Sequence, residues 1–556
     1  TNSLLVGTDS TGTLSSADGN TGVGTGVFGA LTTGDNNVAV GLNALDVNTT
    51  GSENVAVGMG ALDTNTTGAG NISIGCGSMS ANVSGNYNVA IGRCALDTSV
   101  SGSANVAIGD RALYTNTASY NTSVGFFSLA ANTTGASNVA VGTNVLSVNT
   151  SASNNTAVGK DSLKANTTGA DSTAVGFEAM FTNTTGCRNT AFGKRALKLN
   201  TVGCDNVGIG LNSLCANTTG DFNTGIGFAS LQSNTTADNN TGLGYYALQA
   251  NTTASNNTAV GCGAGAANTT GVSNTAVGHA ALNDNTTASN NTAIGMNSLA
   301  VTTTGCQNTA VGAGALDTNS TGDNNVAVGF SALDANTTAD KNTAVGHSAL
   351  KANTTGTRNT AVGFCSLTTN TTGDDNTAFG NDSLRSNTEG ANNVAVGKNA
   401  LVSNTTGDEN TAVGCNALGA NTTANNNTAI GSFALDTNTE GHSNVAVGRS
   451  ALTANTTADN NTAVGFDSMK ANTTGSENTA LGISSSYSNT TGSCNVALGR
   501  NALYTTTTGG QNIAIGTAAL YSNTTASNNT AVGSNALLSN TTGTDNVALG
   551  FCALNA

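Results

Sequence analysis

A glycine returns every 17 residues along almost the whole of this chain. It closes an N-[TV]-A-[VI]-G motif at Gly41, Gly58, Gly75, Gly92 and Gly109, takes one 16-residue step to Gly125, then resumes the 17-residue step as far as Gly550. Gly24 and Gly7 hold the same phase towards the N-terminus. The consensus unit is N-T-A-V-G-x-x-A-L-x-x-N-T-T-G-x-x. Strict unit length is the mark of a solenoid, where each unit closes one coil and buries its apolar side by stacking on its neighbours. The sequence predicts an all-β solenoid, a β-roll or β-helix with one coil per repeat. It spans residues 1–556 as a single array of about 33 coils with no globular domain. Both ends fall within repeats, as expected of an excerpt from a longer fibre.

Inside a unit, alternation predicts a short strand. In Asn54-Val55-Ala56-Val57-Gly58, Val55 and Val57 are expected on one side and Ala56 on the other. A Leu four residues after the glycine supplies a second apolar anchor. The predicted core ladder therefore runs through Val40, Leu45, Val57, Leu62, Val158 and Leu163. Met79, Met180 and Met469 replace the Leu conservatively, whereas Gly265 and Ser486 break the row and predict local weakening. N-T-T-G carries turn chemistry, because Asn and Gly tolerate positive φ and Thr hydroxyls satisfy turn backbone. Helix is excluded by the two Gly, two Asn and several Thr of the consensus unit.

Stacked coils about 4.8 Å apart pair each strand with its copies above and below and turn every position into a ladder. The two Asn positions then become candidates for amide ladders. Thirty-odd coils predict a rod on the order of 150 Å long. Proline is absent from the chain, which fits strands that each need their N–H for a ladder bond. The core is thin, and two arrangements follow: one chain closes a slim solenoid unaided, or three chains meet along a common apolar axis.

Only 8% of residues are charged, against about 25% in an average domain. The net charge of −15 is spread along the chain, and the 16 Lys and Arg are expected not to cluster, so the footprint expected of a nucleic-acid binder is missing. Glu53, Arg188, Lys341, Arg358, Asp375 and Glu409 share the phase before the first Asn and read as a solvated face of mixed sign. No apolar run approaches the roughly 18–20 residues of a membrane span.

The units Asn37-Val38-Ala39-Val40-Gly41 and Asn105-Val106-Ala107-Ile108-Gly109 resemble the head repeats of trimeric autotransporter adhesins. The longer A-L-x-x-N-T-T-G-x-x-N-T-A-V-G unit is similar to shaft repeats of phage tail fibres and bacterial surface fibres that end in an intramolecular chaperone domain. The resemblance covers essentially the whole chain, although the autotransporter head repeat is shorter than 17 residues. It implies a homotrimeric fibre outside the cell or on a virion, carrying or forming an attachment surface for glycans or cells.

Chemistry-bearing residues are sparse. His279, His347 and His442 are far apart and read as surface variation. The 11 Cys follow no metal-ligand spacing, but Cys187 and Cys204 share a phase in adjacent coils and are a candidate disulfide. Gly261-Cys262-Gly263-Ala264-Gly265 lacks the Lys-Ser/Thr of a phosphate loop. No catalytic residue, metal or cofactor is expected, since a polysaccharide-cleaving solenoid needs clustered carboxylates in a groove. Asn48-Thr49-Thr50, Asn65-Thr66-Thr67 and Asn132-Thr133-Thr134 match the N-glycan acceptor pattern, and their Thr are candidate O-glycan acceptors. The expected function is a structural or adhesive extracellular fibre shaft, not an enzyme. The alternatives are a single-chain glycosylated matrix filament and, less favoured, an ice-binding solenoid. The latter is disfavoured because the ordered Thr are expected in turns or pointing partly inward.

Overall fold

The computed structural model describes residues 2–7, 12 and 16–555. It is a parallel β-solenoid with 17-residue coils and, among the described residues, no helix. The chain divides into two compact units, Thr1–Asn274 and Thr275–Ala556, built on the same plan. Strands run from Leu4–Val6 to Thr258–Val260 in the first unit and from Thr275–Val277 to Val547–Leu549 in the second. Each coil gives one three-residue strand to a parallel, in-register sheet. In the first unit Val38, Ala39 and Val40 lie opposite Val55, Ala56 and Val57. In the second, Thr343, Ala344 and Val345 lie opposite Thr360, Ala361 and Val362.

Backbone bonds join coils on every side, not only along the sheet. Val38 N–H donates to Asn54 O at 2.8 Å, Leu45 N–H to Ala61 O at 3.1 Å and Thr49 N–H to Thr66 O at 3.0 Å. Glu53 N–H donates the other way, to Asp35 O of the preceding coil, at 2.9 Å. Proline at any of these phases would remove a ladder bond.

The corners of the coil are left-handed residues: Asn43 (φ 57°), Leu45 (φ 52°) and Glu53 (φ 61°), with equivalents in coil after coil. This departs from the turn expectation, because positive φ falls on the Leu and on the residue before the first Asn instead of on N-T-T-G. The two glycines of the unit answer different needs. Gly58 has φ 137°, a region closed to side-chain-bearing residues. Gly68 has no such φ, but a Cβ there would lie 2.3 Å from Asn65 Oδ1 and 2.5 Å from Gly85 O.

The core corrects the predicted ladder in one respect. Leu45, Leu62 and Leu163 are fully buried, but the strand residues facing them are Ala39, Ala56 and Ala157, also fully buried. Val40 points outward and is 36% exposed, and Val57 and Val158 are half-buried on the same outer face. The cause is the width of the coil. Where glycine replaces the inward Ala, at Gly225, an added Cβ would already sit 3.1 Å from Leu214 Cγ and 2.7 Å from Ser213 Oγ. A Val isopropyl group has no room there, so the strand turns its one small residue inward.

The rest of the interior is amide. Asn54 N–H and Nδ2 donate to Asn37 Oδ1 at 2.9 and 3.2 Å, while Asn65 Nδ2 donates to Asn48 Oδ1 at 2.8 Å. Both Asn phases thus form buried ladders running with the coils. The 16-residue step is absorbed where these ladders turn. Asn116 Nδ2 reaches Ala118 O at 2.8 Å, two residues on, whereas Asn65 reaches Gly68, three residues on. The missing residue is taken from the N-T-T turn, and Val106 still pairs with Thr122 in register.

Candidate functional site

Among the described residues the surface holds no cleft or cavity, and no three His, Cys, Asp or Glu converge as metal ligands. The functional candidates are therefore faces of the coil. One is the outer face of the sheet, which presents two adjacent rows. One holds the first strand residue, for example Val89, Val106 and Thr122, and the other the third, for example Ile91, Ile108 and Val124. Ile91 and Ile108 are each 36% exposed, and Phe192 in the same row is 55% exposed. In the second unit the first row includes Thr343, Thr360 and Thr377, stacked in register. These Thr face out of the coil because Ala344, Ala361 and Ala378 face in. The expectation that ordered Thr lie in turns or point partly inward is corrected for this row alone, by the same narrow interior that turns Val outward.

The N-T-T-G row separates the candidate glycan acceptors. Asn48, Asn65 and Asn132 are fully buried. Asn65 Nδ2 spends both hydrogens, on Asn48 Oδ1 at 2.8 Å and Gly68 O at 3.0 Å. Asn48 Nδ2 donates to Gly51 O at 2.9 Å, and Asn132 Nδ2 to Asn116 Oδ1 at 2.6 Å and Gly135 O at 2.8 Å. An amide nitrogen inside the coil has no space for a sugar, so the N-glycan reading of these residues is overturned. The first Thr is partly committed: Thr49, Thr66 and Thr133 hydroxyls donate to the backbone carbonyl of the next coil at 3.0, 3.1 and 2.8 Å. The second Thr, at Thr50, Thr67 and Thr134, is exposed.

Cys187 and Cys204 are brought together as free thiols, with their Sγ atoms 2.8 Å apart. The hydrogen bond with Cys204 first, then burial, pushes the Cys187 thiol up to about 11. The three His are not brought together. His347 is sandwiched between Phe330 and Phe364 with ring centroids 5.3 and 5.2 Å apart. His442 Nδ1 accepts the Asn425 N–H at 2.9 Å, a coil-to-coil bond that Asp and Ser side chains make at the same phase elsewhere. At the phase before the first Asn, Arg188 stacks on Asp205 and Arg358 on Asp375, each pair at 2.7 Å.

The expectation that Lys and Arg do not cluster is also corrected. Sequence distance hides a grouping that the coils create: Lys160, Lys164, Lys194, Arg195 and Lys198 share one side of three consecutive coils. No protein-family model matches this chain, and no curated protein shows significant similarity to it.

Proposed function

We propose that the chain is the shaft of an extracellular structural or adhesive fibre, borne on a cell or virion surface, in which three copies associate through the outer face of the sheet. The observation that carries this reading is the row of aliphatic side chains left facing solvent on each unit, including Ile74, Ile91, Ile108 and Ile294. Large contiguous exposed apolar surface marks association sites in soluble proteins. A coil that seals chiefly Ala, Leu, Asn and Ser inside itself leaves its larger aliphatic strand residues for a partner. Uniform coils suit a spacer that holds a binding tip away from its base, with exposed Thr at the turns open to O-glycans.

Mass per unit length of the purified protein tests the reading, together with light scattering of an Ile91→Lys/Ile108→Lys variant. The expected result is three chains per coil step, and dissociation with the β circular dichroism retained in the variant. One chain per step would overturn the trimer and favour a single-chain filament. A second reading is supported by the outward Thr343–Thr360–Thr377 row, a regular hydroxyl ladder beside an aliphatic one that could order water as an ice-binding face. Thermal hysteresis and ice shaping by the protein test it, and the absence of both would dismiss it.

A further inference from the structure

Six of the 16 Lys and Arg fall between residues 160 and 198. Three phases place five of them on one side of the first unit. The phase after the glycine stacks Lys160, Phe177 and Lys194; the next stacks Asp161, Glu178 and Arg195; the phase after the Leu stacks Lys164, Phe181 and Lys198. The two carboxylates in the middle row organise the cations. Asp161 Oδ1 lies 3.2 Å from Lys164 Nζ, and its Oδ2 lies 3.7 Å from Lys160 Nζ. Glu178 Oε2 lies 2.8 Å from Lys198 Nζ and 3.1 Å from Arg195 Nε. Lys198 first, then Arg195, holds the Glu178 carboxyl below its usual range. The rings finish the scaffold. Lys164 and Lys198 lie over Phe181, 5.3 and 5.9 Å from its centroid, and Lys160 lies 5.9 Å over Phe177. These contacts hold long side chains in place before any ligand arrives, which lowers the entropy lost on binding.

Five cations surround two carboxylates, so the island is net positive on a chain whose net charge is −15. Lys160 is 60% exposed, and Lys194 is exposed and makes no ion pair among the described residues. In each lysine column the two cations stand two coils apart, about 10 Å at the parallel-strand spacing, with a Phe between them. That is close to the repeat of an extended disaccharide. Nucleic acid presents a different pattern, about one phosphate per 1.7 Å of duplex, which so small an island cannot match and the surrounding acidic chain repels.

We propose that this face binds a linear acidic polysaccharide bearing one carboxylate or sulfate per disaccharide, laid along the coil axis with its anions on Lys160 and Lys194. The proposal depends on the solenoid alone and holds whether or not the chain is a fibre shaft. Binding is salt-sensitive, and a site of this size is weak singly and gains avidity where copies are arrayed.

The experiment is fluorescence anisotropy of a labelled hyaluronan decasaccharide titrated with the full chain at low ionic strength. Lys160→Gln/Lys194→Gln is compared with Lys341→Gln/Lys351→Gln, two cations outside the island. The first variant is expected to bind at least about fivefold more weakly, the second to match the wild type, and the wild-type affinity to fall steeply with salt. Equal binding by both variants, or no hyaluronan binding by the wild type, overturns the proposal. Tighter binding of a DNA duplex than of hyaluronan at the same salt also overturns it, in favour of a nucleic-acid surface. Thermal melts of both variants establish that the fold is intact, and the wild-type salt series stands independently of them.

Discussion

Asn54 and Asn65 donate their side-chain amides to one carbonyl, that of Gly68, at 2.9 and 3.0 Å. The bifurcated acceptor ties the start of the strand to the N-T-T-G turn, so each coil is closed by amides across its interior and joined to its neighbours by the same groups. This explains how so thin an apolar core suffices. A buried hydrogen bond contributes only about 1 kcal/mol net, but an orphaned buried donor or acceptor costs about 1–3 kcal/mol. The ladder therefore penalises any break more than it rewards any single rung. Asn65→Asp tests this. Its carboxylate would face Gly68 O and Asn48 Oδ1 with no hydrogen to give, and the loss is expected to reach about 3 kcal/mol at neutral pH. Such a carboxyl would have a raised folded-state pKa, so the loss diminishes in acid and grows as pH rises through that pKa. Hydrogen exchange of the flanking coils reads the effect locally, since neighbouring coils share stability.

Gly169 and Gly176 are expected to respond differently to alanine. Gly176 has φ 140°, and its added Cβ would meet Gly193 O at 2.5 Å. The phase is glycine in every coil from Gly24 to Gly550. Gly176→Ala is expected to cost about 2–3 kcal/mol. Gly169 looks equally crowded, with Gly186 O 2.3 Å from an added Cβ, yet the chain itself places Ala152 and Ala237 at that phase, both buried. Gly169→Ala is therefore expected to cost about 1 kcal/mol or less, because a small shift of the turn accommodates the methyl group. Paired thermal melts of the two variants check the contrast, and equal losses would refute it.

Ser486 interrupts the Leu row between Met469 and Leu503. It is buried and already holds the left-handed conformation of its neighbours, φ 46° against 52° for Leu503. Ser486→Leu is expected to stabilise by about 1–2 kcal/mol, from apolar burial at a backbone that needs no change. Gly265 is the poorer site for the same repair. Its φ of 57° is compatible, but an added Cβ would lie 3.1 Å from Leu248 Cδ2. Denaturant unfolding that finds Ser486→Leu no more stable than the wild type would contradict this account.

The solenoid, its period and both Asn ladders were legible because a repeat states its architecture many times over. The strand's orientation was not. V-A-V offers the same alternation whichever side faces in, and a register change of one residue exchanges the faces. The deciding quantity is the width of the coil, set by Leu45 opposite Ala39, and no single unit prints it. The acceptor pattern at Asn48, Asn65 and Asn132 misled for a related reason, since N-T-T also describes a buried amide beside two turn hydroxyls. The cationic face was missed because its partners are remote in sequence: Lys160 and Lys194 are two periods apart. In rows of 17 residues Lys160 stands over Phe177 and Phe177 over Lys194, so the period by itself carries the signal.

Cys187 and Cys204 carry the last prediction. Their sulfur atoms are in hydrogen-bond contact at 2.8 Å, and the Cys187 N–H also donates to Cys204 Sγ at 3.1 Å. A thiol raised to about 11 is almost wholly protonated at neutral pH, and the thiolate is the reactive form. Cys187 is therefore expected to react with iodoacetamide more slowly at pH 8 than exposed Cys76 and Cys262, and to accelerate as pH approaches 11. Because the folded-state pKa is raised, the stability this thiol contributes is intact below the ordinary thiol range and is lost as pH rises through about 11. Mild oxidation with diamide is expected to join the pair, since neighbouring coils hold their Cα atoms within disulfide range. Peptide mapping after differential alkylation distinguishes the outcomes. A Cys187–Cys204 cross-link with loss of both alkylation sites supports the geometry. Alkylation of Cys187 at pH 8 as fast as that of Cys76, with no cross-link after oxidation, would mean the two thiols are not held in contact.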